Sequence, residues 1–201
     1  MEDDSLRPSA DVDAELLHAA QSAPEGDLRA FEELVRRYQN RIRANCRYLT
    51  RDDNNVEDLT QEVFVKAYFG LSKFEGRSTF RHWIKRIKVN HCLNHMGRKK
   101  ETVGLEDAPQ DASELQEPPN AEGLIEQMEE RERINAVLDQ LPENLRVPLV
   151  MCDMDELSYE DIASTLRLGL SAVKMRIKRA RERFRQLYSG TASHAATRSQ
   201  G

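Results

Sequence analysis

The chain has 201 residues, of which 32% are charged and only 6% aromatic, a mix typical of small helical units with large solvated faces. This composition argues against a large β-sandwich or an α/β enzyme core, and the length allows one ordinary domain or two small ones. The N-terminus lacks the basic and apolar parts of a signal peptide, and no apolar run reaches the ~18 residues of a membrane span. We therefore expect a cytoplasmic protein without membrane insertion.

The net charge of −5 hides two basic segments. There is no acidic residue from Arg77 to Lys100, and Glu182 is the single acid from Ser171 to Arg185. Because affinity for DNA comes largely from neutralised phosphates, two such segments indicate a nucleic-acid-binding protein. A pair of ordinary solvated helix faces is the plainer alternative, and the scarcity of interleaved acids disfavours it.

In chain order, residues 1–25 are polar and acidic and predict a mobile tail, within which residues 11–20 could form a short helix. Residues 26–100 form the first predicted domain, whose first two amphipathic helices begin near Leu28 and Val56. The residues expected on the inner faces of these two helices are Phe31, Leu34, Val35, Tyr38, Ile42, Cys46, Val56, Leu59, Val63, Phe64 and Ala67.

A third helix is predicted from Ser78, after a loop bracketed by Gly70 and Gly76. We expect its basic residues to face outward and its end to fray at Gly97, because glycine disfavours a helix interior. The residues expected inside are Phe80, Trp83, Ile84, Ile87, Leu93 and Met96.

Residues 101–121 are acidic and rich in proline, which predicts a flexible linker. Residues 122–188 form the second predicted domain, in which Pro142 suits a helix start and Pro148 suggests a kink. Residues 189–201 have no packing pattern and are expected to be a disordered tail. No strand pattern of any length occurs, so the predicted fold class is all-α, with two small helical domains.

The strongest local signal is the segment from Leu157 to Phe184. Ser158 and Asp161 predict the capped start of a short helix, Arg167–Leu170 predicts a turn, and a basic helix begins at Ser171. This order is typical of a helix-turn-helix, whose second helix enters the major groove with its N-terminus first. The residues expected to face bases or phosphates are Ser171, Ala172, Lys174, Met175, Arg176, Lys178, Arg179, Arg181 and Arg183.

The sequence offers no persuasive metal or catalytic site. Cys46, Cys92 and Cys152 are far apart without a CxxC spacing, so we expect buried or half-buried thiols. His91 and His95 lie one helical turn apart beside Cys92, but this arrangement alone does not make a tetrahedral site. We favour DNA-facing or partly buried side chains here. No phosphate loop or Ser/His/Asp arrangement occurs in the sequence. We therefore expect that the protein binds no cofactor and is not an enzyme.

Five segments resemble regions of the extracytoplasmic-function group of sigma-70 factors, in the order that the family has them. GDLRAFEELVRRYQNRI is similar to region 2.1, VEDLTQEVFVKAY to region 2.2, and KFEGRSTFRHWIKRIKVNHCLNHMGRKK to regions 2.3 and 2.4. LDQLPENLRVPLVM resembles region 4.1, and LSYEDIA followed by AVKMRIKRARERF resembles region 4.2. The resemblance covers residues 26–100 and 122–188. It implies a transcription initiation factor with three kinds of partner, which are core RNA polymerase, promoter DNA and an anti-sigma factor. The implied contacts on the polymerase are the clamp helices of the largest subunit and the flap.

The resemblance also implies roles for residues that match the motifs of the family. Asn94 stands where many relatives have aspartate and Arg167 replaces a small turn residue, so the DNA preference of relatives cannot be transferred. The implied polymerase-binding residues are Asp58, Gln61, Glu62 and Phe64. The implied −10 residues are Phe74, Arg77, Ser78, Phe80, Trp83, Arg86, Asn90, Asn94 and Arg98, with the three aromatic rings as candidate walls of a base pocket. The implied −35 residues are Ser171, Lys174, Met175, Arg176, Lys178, Arg179 and Arg183.

Two alternatives remain open from the sequence. A stand-alone helix-turn-helix regulator would use the N-terminal helices for dimerisation or sensing, and would bind a palindrome as a symmetric dimer. A helical adaptor held only by protein partners would show no DNA binding, or binding that does not depend on salt.

Overall fold

The computed structural model describes residues 10–102 and 121–198, which form helices and turns without a strand. The predicted all-α class is confirmed. The remaining parts of the predicted tails and linker, at 1–9, 103–120 and 199–201, lie outside the described residues. Nowhere in the described part of the chain is a helix long and apolar enough to cross a membrane.

The chain divides into two compact units. Among the described residues, the first unit comprises 10–47 and 54–102, and the second comprises 48–53 and 121–198. Tyr48–Asp53 therefore groups with the second unit, although in sequence it lies between two segments of the first.

The three helices predicted for the first domain are present, and a fourth precedes them. They are α1 (Ala10–Ser22), α2 (Arg29–Thr50), α3 (Val56–Gly70) and α4 (Phe80–Thr102). The predicted inner faces of α2 and α3 are buried, apart from Val35, which is half-buried. The 3.6-residue spacing of the apolar side chains therefore places them on one face of each helix, and this face packs into the core.

Helix α1 is the short helix predicted within the N-terminal tail. Asp13 on this helix is only 8% exposed and accepts a hydrogen bond from the Tyr38 hydroxyl. Burial, and then the Asp13 carboxylate, raise the pKa of Tyr38. Gln21 Nε2 donates to the backbone oxygens of Leu71 at 3.0 Å and Phe74 at 2.9 Å. The segment assigned to a mobile tail thus contains a helix that is bonded to the first unit.

Helix α4 departs from expectation in two respects. It continues through Gly97 to Thr102 instead of fraying. The basic residues do not all face outward, because Lys85 is 4% exposed and Lys88 is fully buried. Both lie on the same side of the helix as buried Cys92, three or four residues apart along the sequence, and both keep polar or charged interactions there. Their position in the helical repeat, rather than their charge, decides their burial.

Within the described residues, the second unit contains four helices. They are α5 (Ala121–Asp139), α6 (Glu143–Leu149), α7 (Tyr159–Leu166) and α8 (Leu170–Arg198), with a single π-helical turn at Val150–Met154 after α6. Pro148 lies inside α6, and the π turn begins two residues after it.

Helix α8 is longer than predicted. It was expected to end near Tyr188, but its backbone remains helical to Arg198. The segment beyond Gly190 contains three alanines and no proline, so local helix propensity favours continuation.

Candidate functional site

Hydrogen bonds at both ends fix the geometry of α7 and of the turn that follows it. Ser158 Oγ accepts a hydrogen bond from the Asp161 N–H at 3.0 Å, which confirms the predicted cap. Arg167 ends the helix with φ 53° and ψ 46°, a left-handed conformation that usually favours glycine. In the turn that follows, the Leu168 N–H donates to the Ala163 carbonyl oxygen at 2.9 Å. The Gly169 carbonyl oxygen accepts the first hydrogen bonds of α8, from the N–H groups of Ala172 and Val173.

The inner face of α8 is apolar and holds the helix-turn-helix together. Val173, Ile177 and Ala180 are no more than 1% exposed, and Ile162 on α7 is fully buried. This packing leaves the opposite face of α8 to solvent, where Met175 is 48% exposed. The predicted DNA-facing residues on this exposed face are Ser171, Lys174, Met175, Lys178, Arg179 and Arg183, and Arg176 is half-buried.

Arg181 is an exception among the predicted DNA-facing cations. Its Nε lies 3.0 Å from Asp153 Oδ2, and its Nη2 lies 3.6 Å from Cys152 Sγ. The hydrogen bonds with Asp153 raise the pKa of Arg181. Arg181 therefore links α8 to the π turn, and a contact between Arg181 and DNA would have to compete with Asp153.

An open cavity of about 310 Å³ lies beside this ion pair, within the second unit. Its walls come from α5, α6, the π turn and α8, so it depends on the same packing that holds α8. The cavity is mostly apolar with charged groups at its edge, and its lining residues are Leu138, Leu149, Val150, Asp153, Met154, Arg181, Phe184 and Arg185.

The outer face of α3 combines polar groups with an apolar ridge. Asp58, Gln61 and Glu62 are exposed, as the sequence predicts. Phe64 is only 7% exposed and belongs to the core of the unit. This burial agrees with the inner face predicted for α3 and leaves little of the Phe64 ring exposed to a binding partner. The exposed apolar residues are instead Val65 at 52%, Tyr68 at 40% and Phe69 at 74%, which we call the α3 ridge.

The sequence contained a signal for the α3 ridge that was not used. Val65 and Phe69 follow Asp58 at intervals of seven and eleven residues, which places all three on one side of a helix. The polar part of this side is locally organised, because Glu62 Oε2 lies 3.3 Å from Lys66 Nζ and 3.3 Å from His91 Nε2. Burial of the imidazole lowers the pKa of His91.

The aromatic cluster near the start of α4 is packed more tightly than the sequence suggested. Phe80 is 2% exposed, Phe74 is 9% exposed, and Trp83 is half-buried. The Trp83 ring lies 4.9 Å from the Phe74 ring and 5.8 Å from the Phe80 ring, between centroids. A Cβ at Gly70 would lie 3.1 Å from Trp83 Cζ2, so this glycine makes room for the indole. Core packing occupies most of the Phe74 and Phe80 rings, so Trp83 is the most exposed of the three candidate walls.

The predicted polar groups of this region are exposed. Arg77 and Ser78 lie in the loop before α4, where Arg77 pairs with Glu75. The Thr79 hydroxyl accepts a hydrogen bond from the His82 N–H at 3.2 Å and so caps the helix. A stripe along one exposed side of α4, which we call the α4 stripe, consists of Arg86, Asn90, Asn94 and Arg98.

The cysteines match their prediction as buried or half-buried thiols. Cys46 and Cys92 are fully buried with their Sγ atoms 3.6 Å apart, and Cys152 is half-buried. Cys92 therefore faces the core, whereas His91 faces Glu62 on α3. Among the residues that the structure describes, no group of three potential ligands is arranged to hold a metal ion.

Two segments of the chain match two regions of the Sigma-70 family. Residues 34–102 match Sigma-70 region 2, and residues 131–184 match Sigma-70, region 4. The RNA polymerase sigma-H factor of Pseudomonas aeruginosa is 37% identical over 164 residues, which cover 78% of this chain and 85% of that protein. The ECF RNA polymerase sigma-E factor of Escherichia coli is 36% identical, with 78% of this chain and 85% of that protein covered.

Solved structures give the same fold. CnrH, in a complex with the cytosolic domain of CnrY, aligns with a TM-score of 0.58 at 26% identity, over 90% of this chain and 99% of that chain. The sigma factor RpoE of Bartonella quintana, in a complex with the anti-sigma factor NepR, aligns with a TM-score of 0.59 at 21% identity, over 79% and 96%.

These matches, together with the capped helix-turn-helix, define a two-unit sigma factor. The chain belongs to the extracytoplasmic-function group of the sigma-70 family.

Proposed function

We propose that this chain is a transcription initiation factor that binds core RNA polymerase and directs it to promoters with specific −10 and −35 elements. The observation that carries the proposal is the cationic outer face of α8 on a capped helix-turn-helix, a placement suited to the major groove. Membership of the sigma-70 family favours this function over a stand-alone regulator. We expect the protein to act in the cytoplasm and to have no catalytic activity of its own.

The α3 face is the proposed contact with the clamp helices of the largest polymerase subunit. Asp58, Gln61 and Glu62 would supply polar contacts beside the α3 ridge, whose apolar area is otherwise exposed. An apolar centre with a polar rim is the usual composition of such an interface. The cavity of the second unit is the proposed seat for an apolar side chain of the polymerase flap.

The −10 element is the proposed ligand of the first unit. The α4 stripe would follow the backbone and base edges, with Arg77 and Ser78 at the loop. Of the three predicted aromatic walls, Trp83 keeps part of its ring accessible, so it is the proposed stacking surface for an unpaired base. The −35 duplex would bind the outer face of α8 through Ser171, Lys174, Met175, Lys178, Arg179 and Arg183, with half-buried Arg176 at its edge.

An anti-sigma factor is the proposed regulator. Two solved structures with this fold are complexes, one of the sigma factor RpoE with the anti-sigma factor NepR and one of CnrH with the cytosolic domain of CnrY. A protein that covers the α3 ridge would compete directly with polymerase for the same exposed apolar side chains.

Permanganate probing of promoter DNA tests the proposal. Holoenzyme made with this chain should render thymines of the −10 region reactive, because they become unpaired. The Asn90→Ala variant should reduce this reactivity and retain polymerase binding, since Asn90 lies on α4 and outside the α3 face. Promoter DNA that stays unreactive with the wild-type holoenzyme on every selected promoter would contradict the proposed function.

A further inference from the structure

Met175 is an apolar side chain in the middle of a polar surface. It is 48% exposed, whereas Val173, Ile177 and Ala180 on the same helix are essentially buried on the other side. The apolar core of the second unit therefore does not require the exposed half of Met175. About half of Met175 is therefore available to a ligand that binds this face of α8.

The neighbours of Met175 limit what that contact can be. Ser171 lies one helical turn before it, and Lys178 and Arg179 lie one turn after it, all exposed. In the major groove, cationic and hydroxyl side chains meet phosphates, guanine edges and other polar groups. The apolar group displayed on base edges there is the C5 methyl of thymine.

We infer that Met175 contacts the methyl group of a thymine in the −35 element and makes that base a specificity determinant. The flexible, polarisable thioether suits such a contact, because it adapts its rotamer to the position of the methyl group. The inference rests on the proposed function, since it assumes that the outer face of α8 enters the major groove of the −35 duplex.

The test begins with a −35 duplex selected by the wild-type holoenzyme from a randomised DNA library. Each thymine of the selected element is then replaced by deoxyuridine, which removes the methyl group and changes no hydrogen bond. At one position, the loss should weaken binding of the wild-type holoenzyme about fourfold. That factor corresponds to about 0.8 kcal/mol for one buried methyl group.

The decisive measurement is a cycle between the side chain and the methyl group. The Met175→Ala variant should bind the thymine duplex more weakly and should no longer distinguish thymine from deoxyuridine at that position. Arg185→Ala is the matched control on the same exposed helix, and it should retain the fourfold difference. Circular dichroism should show the same helix content for both variants.

Three outcomes would overturn the inference. The selected −35 element could contain no thymine, deoxyuridine could change binding at no position, or Met175→Ala could show the same fourfold difference as the wild type. A holoenzyme that selects no −35 element at all would contradict the proposed function itself, and this inference with it.

Discussion

Two phenylalanines on α3 provide a matched test of the α3 ridge. Phe64 is 7% exposed and Phe69 is 74% exposed, although both stand on the same helix. The change to alanine is chemically the same at both positions, so the two variants separate a role in the fold from a role in binding.

The structure sets opposite expectations for the two variants. Phe64→Ala removes a ring from the core and should lower the free energy of unfolding by about 3–5 kcal/mol. Phe69→Ala removes a ring that is mostly in water, so its stability should stay within about 0.5 kcal/mol of the wild type. If the ridge is a centre of the polymerase interface, Phe69→Ala should cost at least ~2 kcal/mol of binding, which is about 30-fold in the dissociation constant.

Urea unfolding followed by circular dichroism measures the first quantity, and titration of purified core polymerase with labelled chain measures the second. The wild type and the exposed-site variant Lys73→Ala serve as references, because Lys73 is exposed and lies outside the α3 face. The reasoning would be refuted if Phe69→Ala bound core polymerase as tightly as the wild type, or if Phe64→Ala were as stable as the wild type.

Three further predictions concern the second unit and the thiols. Arg179→Ala should cost about 1–3 kcal/mol of binding free energy on the preferred −35 element and relax the preference at one base, whereas Arg185→Ala should weaken binding to all sequences slightly and equally. The measurement is a competition assay over single-base variants of the element at two salt concentrations. A uniform loss of affinity for Arg179→Ala would contradict the assignment. Arg167→Gly should raise the free energy of unfolding by up to ~1 kcal/mol, because the left-handed conformation costs an L-residue about 1–2 kcal/mol and the added freedom of glycine in the unfolded chain offsets part of that gain; a lower urea midpoint would contradict this. Alkylation of the native protein should modify Cys152 alone, because the other two thiols are buried. Burial raises the pKa of the Cys152 thiol, so the rate should keep increasing to a higher pH than for a free cysteine. Mass spectrometry that finds Cys46 and Cys92 labelled at a similar rate would contradict their described burial.

Local sequence patterns were sufficient to predict most of the helices. The spacing of apolar residues in α2 and α3, and the Ser158 cap of α7, depend on neighbours within a few residues, so they are visible without tertiary information. The region resemblance added the identity of both units, because five motifs occur in the order of the family.

The sequence interpretation missed two kinds of feature, namely contacts between elements that are distant in sequence and the exact register of a helix. Arg181 looked like a DNA-binding cation because nothing near it in sequence indicates its pairing with Asp153. Lys88 looked exposed because charge usually stays at the surface, whereas its place in the helical repeat buries it. Phe64 received two roles, one in the core from the apolar spacing and one in polymerase binding from the motif, and its burial agrees with the first.

The most direct test of the central claim is transcription in vitro with purified core RNA polymerase and a library of promoter fragments. The account predicts that adding the wild-type chain produces transcripts with defined start sites, preceded by common −10 and −35 elements, and that Phe69→Ala abolishes most of this transcription at limiting concentrations. The claim would be contradicted if the wild-type chain gave no start-site-specific transcripts with active core polymerase and instead bound a palindromic site as a dimer in its absence.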